Sequence, residues 1–530
     1  MTTSPVTTAP PAAVPQERRA SLKTWITVTA GLLGAFMAVL NIQITNASLL
    51  NIEGGIGTGV DNGAWISTAY LIGEIIVIPL TDYLSRVFSF RRFLLTNAVL
   101  FLSFSMACAF AHNLQEMIAL RAIQGFTGGV LIPMAFTLIL TKLPAGQRSI
   151  GMALFAITAT FAPAIGPTIG GYLTENYGWQ YIFFINLVPG TIMVAALYAT
   201  LERQPMRLGL LKEGDWFGIA AMAVGLSALQ TVLEEGNKDD WFGSPFIVRL
   251  AAIAVVSLSL FAWIELTVKN PAVNLRLLKR RNFGLGTLAN MLLGFALYGS
   301  VYLLPQYLGQ AQGYNSEQIG SVMAWTGLPQ LLVIPFVPML MGRFDVRYIV
   351  VLGLSVFGGS FLLNMHMSAD YSGAQFLTPN LIRAAGQALV LAPMSSIAML
   401  GIAQSEAAGA SGIFNMLRNL GGAFGTAALA TFVTKREQFH SNIIGMPVNL
   451  YSETVRDRLD VMTKYFMSRG ISDPVAAHGQ AVVALGQAIR RQALIMGYSD
   501  AFALLGAMLI LAACCILFTR RGQVSAAGAH

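Results

Sequence analysis

The chain has 530 residues, of which 55% are apolar and only 11% charged, half or less of the roughly 25% usual in soluble domains. With a mean hydropathy of +0.63, that excludes a soluble enzyme or a string of soluble modules, and outside the tails it excludes disorder. The net charge of +8 is too small for a soluble nucleic-acid binder, and basic loops beside a membrane account for it.

Residues 1–24 are polar and rich in Pro, Thr and Ala. They contain no apolar h-region, so they read as a disordered cytoplasmic tail and not as a cleavable signal. Apolar stretches of about 20 residues follow, the length that crosses ~30 Å of hydrocarbon. Fourteen are predicted: 25–48, 63–82, 93–111, 117–141, 150–173, 180–201, 216–234, 246–267, 284–307, 318–341, 348–367, 377–399, 408–433 and 499–519. Gly and Pro recur inside them, as membrane helices tolerate. The three cysteines, Cys108, Cys514 and Cys515, all lie in apolar runs. No disulfide framework, metal site or cofactor is expected.

Basic residues set the orientation. One set of alternate loops holds Arg86, Arg91, Arg92, Lys142, Arg148, Arg203, Arg207, Lys212, Lys269, Arg276, Lys279, Arg280, Arg281, Arg343 and Arg347. Arg18, Arg19 and Lys23 precede the first stretch, and Arg520 and Arg521 follow the last. The opposite short loops contribute Lys238. This asymmetry predicts that both termini, including the tail 520–530, are cytoplasmic. Segment 434–498 then lies outside. It mixes charges of both signs with amphipathic stretches, and a connection of that length carries structure of its own or a binding role.

The two halves echo each other. RAIQGFTGGVLIPM begins at Arg121 and RAAGQALVLAPM at Arg383, with Pro133–Met134 and Pro393–Met394 separated by 260 positions. SFRRFLL near Arg92 and FDVRYIV near Arg347 match at an offset of 255. The third stretch is thereby equated with the eleventh and the fourth with the twelfth. The predicted organisation is a six-helix bundle over 25–203 and two inserted helices over 204–281. A second bundle has five helices over 282–433 and its last over 499–519, after the external segment. Parallel six-span repeats build one large transporter class, with the substrate site between the halves.

On these residues the chain resembles the major facilitator superfamily, and within it the 14-span EmrB/QacA-type drug:proton antiporters. LRAIQGFTGGVLIP resembles the family's R-x-x-Q-G motif through Arg121, Gln124, Gly125 and Gly129. APAIGPTIGGYL, with Gly166, Pro167, Gly170 and Gly171, resembles its antiporter signature. NYGWQYIFFIN, DWFGSPFI and RNFGLG add to the likeness, as does the long external segment, which is similar to that of EmrB-like proteins. The resemblance implies an all-α polytopic fold of two six-helix bundles plus two inserted transmembrane helices. It also implies a bacterial inner-membrane location, a lipophilic substrate, exchange for protons, and a periplasmic adaptor leading to an outer-membrane channel. No nucleic acid is expected as a partner.

Particular residues carry the expected chemistry. Gly166, Gly170 and Gly171 leave one helix face bare for a neighbour, and Pro167 removes a backbone hydrogen bond. That pattern serves either plain packing or a moving seal, and the resemblance favours the seal. An intramembrane arginine such as Arg121 needs a partner or a watery cavity unless it snorkels. The small residues after it favour a proton-relay or structural-pair role. Glu74 is an acid near mid-membrane, about 11 residues or ~16 Å from the outer end of its stretch. Desolvation penalises a charged carboxylate, so a carboxyl there can exchange a proton near neutral pH. Glu265, nearer an end, is expected to face water. Arg383 is expected to mark the external end of its stretch.

The expected coupling group is Glu74 with Asn41 and Arg121 as polar partners. Substrate-site candidates are Asn46, Gln124, Asn290, Tyr298, Tyr302, Gln306, Gln330 and Arg418, with Asn415 and Asn419 flanking the last in an interior polar cluster. Met394 and Met416 are candidates for adaptable apolar surface. The chain departs from the family in its first stretch. EmrB-like proteins carry an acid in a pattern like L-D-x-x-I-x-N, and here LNIQITN places Asn41 there and keeps Asn46. Asparagine takes up no proton in this range. Coupling either rests on Glu74, or Asn41 disables it and leaves a binding or scaffold protein. The loop pattern after the second stretch is reduced to DYLSRVFSFRR, with Asp82, Arg86, Arg91 and Arg92. No Walker A, HExxH or GxSxG motif argues for an enzyme. The expected function is proton-coupled export of lipophilic or amphipathic drugs, with export of fatty acids or another physiological amphipath as the rival.

Overall fold

The computed structural model describes residues 20–58, 63–268, 271–403, 406–449 and 451–520. Arg18, Arg19, Lys269, Arg521 and nearly all of the two predicted tails lie outside the described residues. Each of the fourteen apolar stretches falls on helix. The first half holds α1 (Leu22–Ala47), α2 (Ala64–Phe88), α3 (Phe90–Cys108), α4 (Leu114–Lys142), α5 (Ala145–Tyr177) and α6 (Tyr181–Thr200). Then come α7 (Trp216–Glu235) and α8 (Pro245–Thr267). The second half holds α9 (Arg281–Gln310), α10 (Glu317–Arg343), α11 (Val346–Leu362), α12 (Leu377–Ala398), α13 (Ala407–Gly445) and α14 (Pro474–Leu517). Among the described residues, eleven helices are long and apolar enough to cross a membrane, and α3, α11 and α13 fill the other three predicted stretches.

The internal repeat is visible in how two helices break. The first segment of α4 ends at Gly129 and the second begins at Leu131. The first segment of α12 ends at Ala388 and the second begins at Leu391. Pro133 and Pro393 sit just after these breaks. Proline lacks the N–H that would bond four residues back, and its ring crowds that carbonyl. The interruption therefore falls at Val130 in the first half and at Leu389–Val390 in the second.

Packing repeats as well. In the first half α1 packs on α4, α5 and α6, α2 on α4, and α3 on α4 and α6. In the second half α9 packs on α12, α13 and α14, α10 on α12, and α11 on α12 and α14. The halves meet through α2 against α13 and α5 against α10, two contacts that exchange under the same correspondence. Inserted helices α7 and α8 pack on each other, and α7 lies against α2 and α13. Val255, Val256 and Trp263 of α8 are exposed, as apolar side chains facing lipid would be.

The two ends of the bundle differ. On the terminal face Arg281 Nε donates to the Phe518 carbonyl at 2.9 Å and Arg347 Nη1 to the Thr519 carbonyl at 3.0 Å. These bonds gather the starts of α9 and α11 beside the end of α14. On the far face α13, with 39 residues, and α14, with 44, continue well past the others. At ~1.5 Å per residue both exceed a ~30 Å hydrocarbon core. Residues 434–445 and 474–498 are thus helical continuations, and a helix at Glu453–Ser468 packs on α14.

Two expectations are corrected. Glu265 is fully buried and accepts a hydrogen bond from the Val273 N–H at 3.2 Å, because the chain after α8 folds back over it. Arg383 is buried, with its guanidinium 5.6 Å from the Phe361 ring centre and 5.9 Å from that of Phe357. Those rings on α11 draw it inside.

Candidate functional site

The interior polar groups form two knots. The first belongs to the N-terminal half. Arg121 and Gln124 lie one turn apart on α4, Asn41 faces them from α1, and Tyr70 from α2. Arg121 Nη1 donates to Asn41 Oδ1 at 2.5 Å and to Gln124 Oε1 at 2.8 Å. Its Nε donates to the Ile66 carbonyl at 3.4 Å. The guanidinium also lies 4.2 Å from the centre of the Tyr70 ring. Arg121 is 1% exposed, so it does not snorkel. Amide dipoles and a ring face compensate its charge. Hydrogen bonds to a charged donor are the stronger kind, at ~1.5–3 kcal/mol each.

Glycines make this closeness available. A Cβ on Gly73 of α2 would lie 2.2 Å from the Ala122 carbonyl oxygen, and one on Gly125 of α4 would lie 2.0 Å from that of Tyr70. The backbones of α2 and α4 touch directly, which brings Tyr70 over Arg121 and holds Glu74 one turn further along α2.

The second knot crosses between the halves. Glu74 is buried, and its Oε1 accepts from Asn419 Nδ2 of α13 at 2.8 Å. Its Oε2 has no hydrogen-bond partner among the described residues. Arg418, also on α13, is 1% exposed, and among the described residues none of its three guanidinium nitrogens has a hydrogen-bond partner. Glu74 feels both Arg418 and Arg121 electrostatically. This revises the expected partnership. Arg121 bonds to both Asn41 and Gln124, and the direct partner of Glu74 is Asn419. In the sequence Asn419 is only a flank of Arg418, and the contact with Glu74 comes from the packing of α2 on α13. Asn415 is likewise buried and donates within its own helix to the Ser411 carbonyl at 2.9 Å.

The remaining candidates spread over several contacts. Asn46 Oδ1 accepts from Ser67 Oγ at 2.5 Å. Asn290 Nδ2 donates to the Phe414 carbonyl at 2.9 Å, leaving its Oδ1 unpaired. Tyr298 packs over Gly422, where a Cβ would lie 2.4 Å from the ring. Gln330 Nε2 donates to the Thr326 carbonyl and to Gln387 Oε1, both at 2.7 Å. Gln306 Oε1 accepts from Gln310 Nε2 at 2.7 Å, near the far end of α9. Tyr302 lines a cavity at the far face. Met394 and Met416 are buried.

The expected antiporter motif sits on the α1–α5 contact. A Cβ on Gly166 would lie 2.4 Å from Gln43 Cβ, and one on Gly170 would lie 2.9 Å from the Ile44 carbonyl oxygen. Gly171 is buried and Pro167 lies within the unbroken α5. The second half has a counterpart that the sequence analysis missed. Gly421 and Gly425 of α13 lie 255 positions after Gly166 and Gly170. A Cβ at either would come within 2.1 Å or 2.4 Å of a carbonyl oxygen on α9. The offset equals that of Arg92 and Arg347, and this signal could have located them.

Comparison with known proteins gives consistent results. The family model for the Major Facilitator Superfamily matches residues 31–426. The chain is 34% identical over 511 residues to "Colistin resistance protein EmrB" of Acinetobacter baumannii, covering 96% of this chain and 99% of that protein. It is 31% identical to "Fatty acid resistance protein FarB" of Neisseria gonorrhoeae, covering 92% and 94%. It is 30% identical to "Multidrug export protein EmrB" of Escherichia coli, covering 89% and 90%. Among solved structures, the proton:xylose symporter XylE superposes with a TM-score of 0.59 at 14% identity, covering 95% of this chain and 97% of that one. The human organic anion transporter MFSD10 superposes with 0.55 at 15% identity, covering 92% and 99%. These two likenesses bear on the fold alone.

Proposed function

The chain belongs to the major facilitator superfamily of membrane transporters, and from that premise we propose that it exports lipophilic or amphipathic compounds in exchange for protons. The observation that carries the reading is the Glu74–Asn419 hydrogen bond between the halves, with the unpaired guanidinium of Arg418 beside it. An acid held by one half and read by the other changes its contacts whenever the halves move. Intramembrane acids of this kind mark ion pathways. With Glu74 ionised, Arg418 is its natural counter-charge. With Glu74 protonated, that attraction is lost and the α2–α13 contact loosens. Drug binding and protonation then compete for the same ground between the halves.

Asn41 fits this arrangement as a neutral acceptor for Arg121. Coupling accordingly rests on Glu74, and an aspartate at position 41 would pair with Arg121 directly. The remaining candidates, Asn46, Gln124, Asn290, Tyr298, Gln306 and Gln330, serve as polar anchors along the route, and the Gly166–Gly171 face of α5 as its sliding seal. The location we propose is the bacterial inner membrane, with 14 spans and the terminal face in the cytoplasm, as the loop charges argue. The far-face helices of 434–498 would then dock a periplasmic adaptor leading to an outer-membrane channel. Similarity over nearly full length to proteins named for drug and colistin resistance supports this reading.

A second reading, export of a fatty acid or another amphipath of the cell's own, is favoured by Arg418. Its free nitrogens suit a carboxylate, and one relative is named for fatty acid resistance.

The test is proton flux in proteoliposomes with an added lipophilic cation. The chain itself should couple, Glu74→Gln should abolish coupling, and Asn41→Asp should change its pH dependence. A silent chain that Asn41→Asp restores would show that position 41 carries the coupling, and would overturn the role given to Glu74.

A further inference from the structure

The far face carries a cavity that the transport route above does not use. Its volume is about 420 Å³, and residues of α9, α13, α14 and the connection after α7 line it. Tyr302, Val433, Glu437, Arg490, Leu494 and Tyr498 give it its chemistry. The volume falls within the ~300–1,000 Å³ of small-molecule sites.

Its two charges are held unequally. The Glu437 side chain is 13% exposed and that of Arg490 is 79% exposed, and they pair at 3.6 Å. A long pair with one partner in solvent is weak. Glu437 is thus a fixed carboxylate in the wall, and Arg490 is a loosely held cation on it. A second carboxylate, Glu234 of α7, lies within electrostatic reach of Tyr302. Tyr498 donates to Gln310 Oε1 at 3.0 Å, which fixes one ring of the wall. Ring faces attract organic cations, and Val433 and Leu494 supply apolar surface.

We propose that this cavity is a binding site for amphipathic organic cations, which seat their charge on Glu437 in exchange for Arg490. The proposal rests on the reading that the chain handles amphipathic compounds, and adds to it a station at the far face separate from Glu74. The ligand's apolar body lies against Val433 and Leu494, and its charged head lies between the tyrosines and Glu437.

The experiment is equilibrium binding of tetraphenylphosphonium to the purified full-length chain in detergent. Arg490→Ala removes the competing cation and should tighten one class of site several-fold. Glu437→Gln should weaken that class tenfold or more, and Glu74→Gln should leave it in place. An uncharged triphenyl compound of similar size should respond to neither change. Arg490 is on the surface, so Arg490→Ala reports whether or not Glu437→Gln folds. Unchanged or weaker binding by Arg490→Ala overturns the proposal, as does undiminished binding by Glu437→Gln. Displacement of the probe by phosphatidylethanolamine would assign the natural cation to a lipid headgroup, and its failure to displace would assign it to a soluble amphipath. Both results keep the site. Proton flux through Glu74→Gln fails or succeeds independently, so an error in the central reading is distinguishable from an error here.

Discussion

The two six-helix halves share a packing plan and treat their buried arginines in opposite ways. In the first half Arg121 has hydrogen bonds to Asn41, Gln124 and the Ile66 carbonyl, and a ring 4.2 Å away. In the second half Arg418 has no hydrogen-bond partner among the described residues for any guanidinium nitrogen. Arg383, on the helix that corresponds to that of Arg121, lies near two rings and has an unpaired Nε. A buried arginine whose donors are engaged is held in place, whereas one whose donors are idle has a reason to rearrange. The comparison assigns the fixed scaffold to the first half and the responsive charge to the second.

The largest expected effect tests that assignment directly. Arg121→Leu leaves Asn41 Oδ1 buried without its donor, at ~1–3 kcal/mol, and Gln124 Oε1 with only the weak Cys108 thiol at 3.7 Å. Thermal unfolding in detergent should drop markedly. Arg418→Leu removes a buried cation that makes no hydrogen bond among the described residues, so it orphans no acceptor, and Glu74 can take up a proton in place of the lost counter-charge. The unfolding temperature of this variant should hold or rise while coupled flux is lost. Equal destabilisation by the two substitutions would erase the distinction between the halves.

The glycine faces sharpen the same comparison at smaller scale. Gly421→Ala drives a methyl to 2.1 Å from the Met291 carbonyl oxygen, whereas Gly166→Ala meets the side-chain Cβ of Gln43 at 2.4 Å. Three Met291 backbone atoms lie within 3.0 Å of the first methyl, whereas the second meets one atom with its next neighbours at 3.5 Å, and overpacking costs ~1–3 kcal/mol. Gly421→Ala should therefore lower the unfolding temperature more than Gly166→Ala. Gly166→Ala should show its effect mainly in transport rate, as expected if the α1–α5 face slides. Equal stability with unaltered transport for Gly166→Ala would make that face simple packing.

What the sequence made legible follows from how local each signal is. The apolar stretches, and the repeat marked by Pro133 and Pro393, depend on neighbouring residues and could be read directly. Glu74 stood out as an acid in an apolar run. Its partner Asn419 is 345 positions away, and nothing local connects α2 with α13. Arg383 was misplaced because its position near the start of α12 suggests the surface, whereas Phe357 and Phe361 of another helix set its burial. The far-face extensions of α13 and α14 escaped because hydropathy falls at the membrane boundary while helical hydrogen bonding continues. Gly421 and Gly425 were accessible from the 255-residue offset, but their helix lacks the proline-containing motif that drew the eye to α5.

The smallest effect concerns Arg383, and it separates burial from engagement. Arg121 and Arg383 occupy corresponding helices and are both buried, at 1% and 3% exposure. Burial alone would predict that removing either is equally harmful. Engagement predicts otherwise. At 5.6 and 5.9 Å its ring contacts lie at the outer limit of a cation–π interaction, ~6 Å from the centroid. At that distance each is weaker than the ~2 kcal/mol of a close desolvated contact, and the unpaired Nε offsets part of it. Arg383→Met keeps the length and apolar stem of the side chain, and methionine sulfur also packs well on aromatic edges. Its stability should stay within ~1 kcal/mol of the parent chain in reversible thermal or denaturant unfolding. A loss as large as that of Arg121→Leu would mean that Arg383 is held by more than the rings, and the second half would then contain a fixed charge of its own.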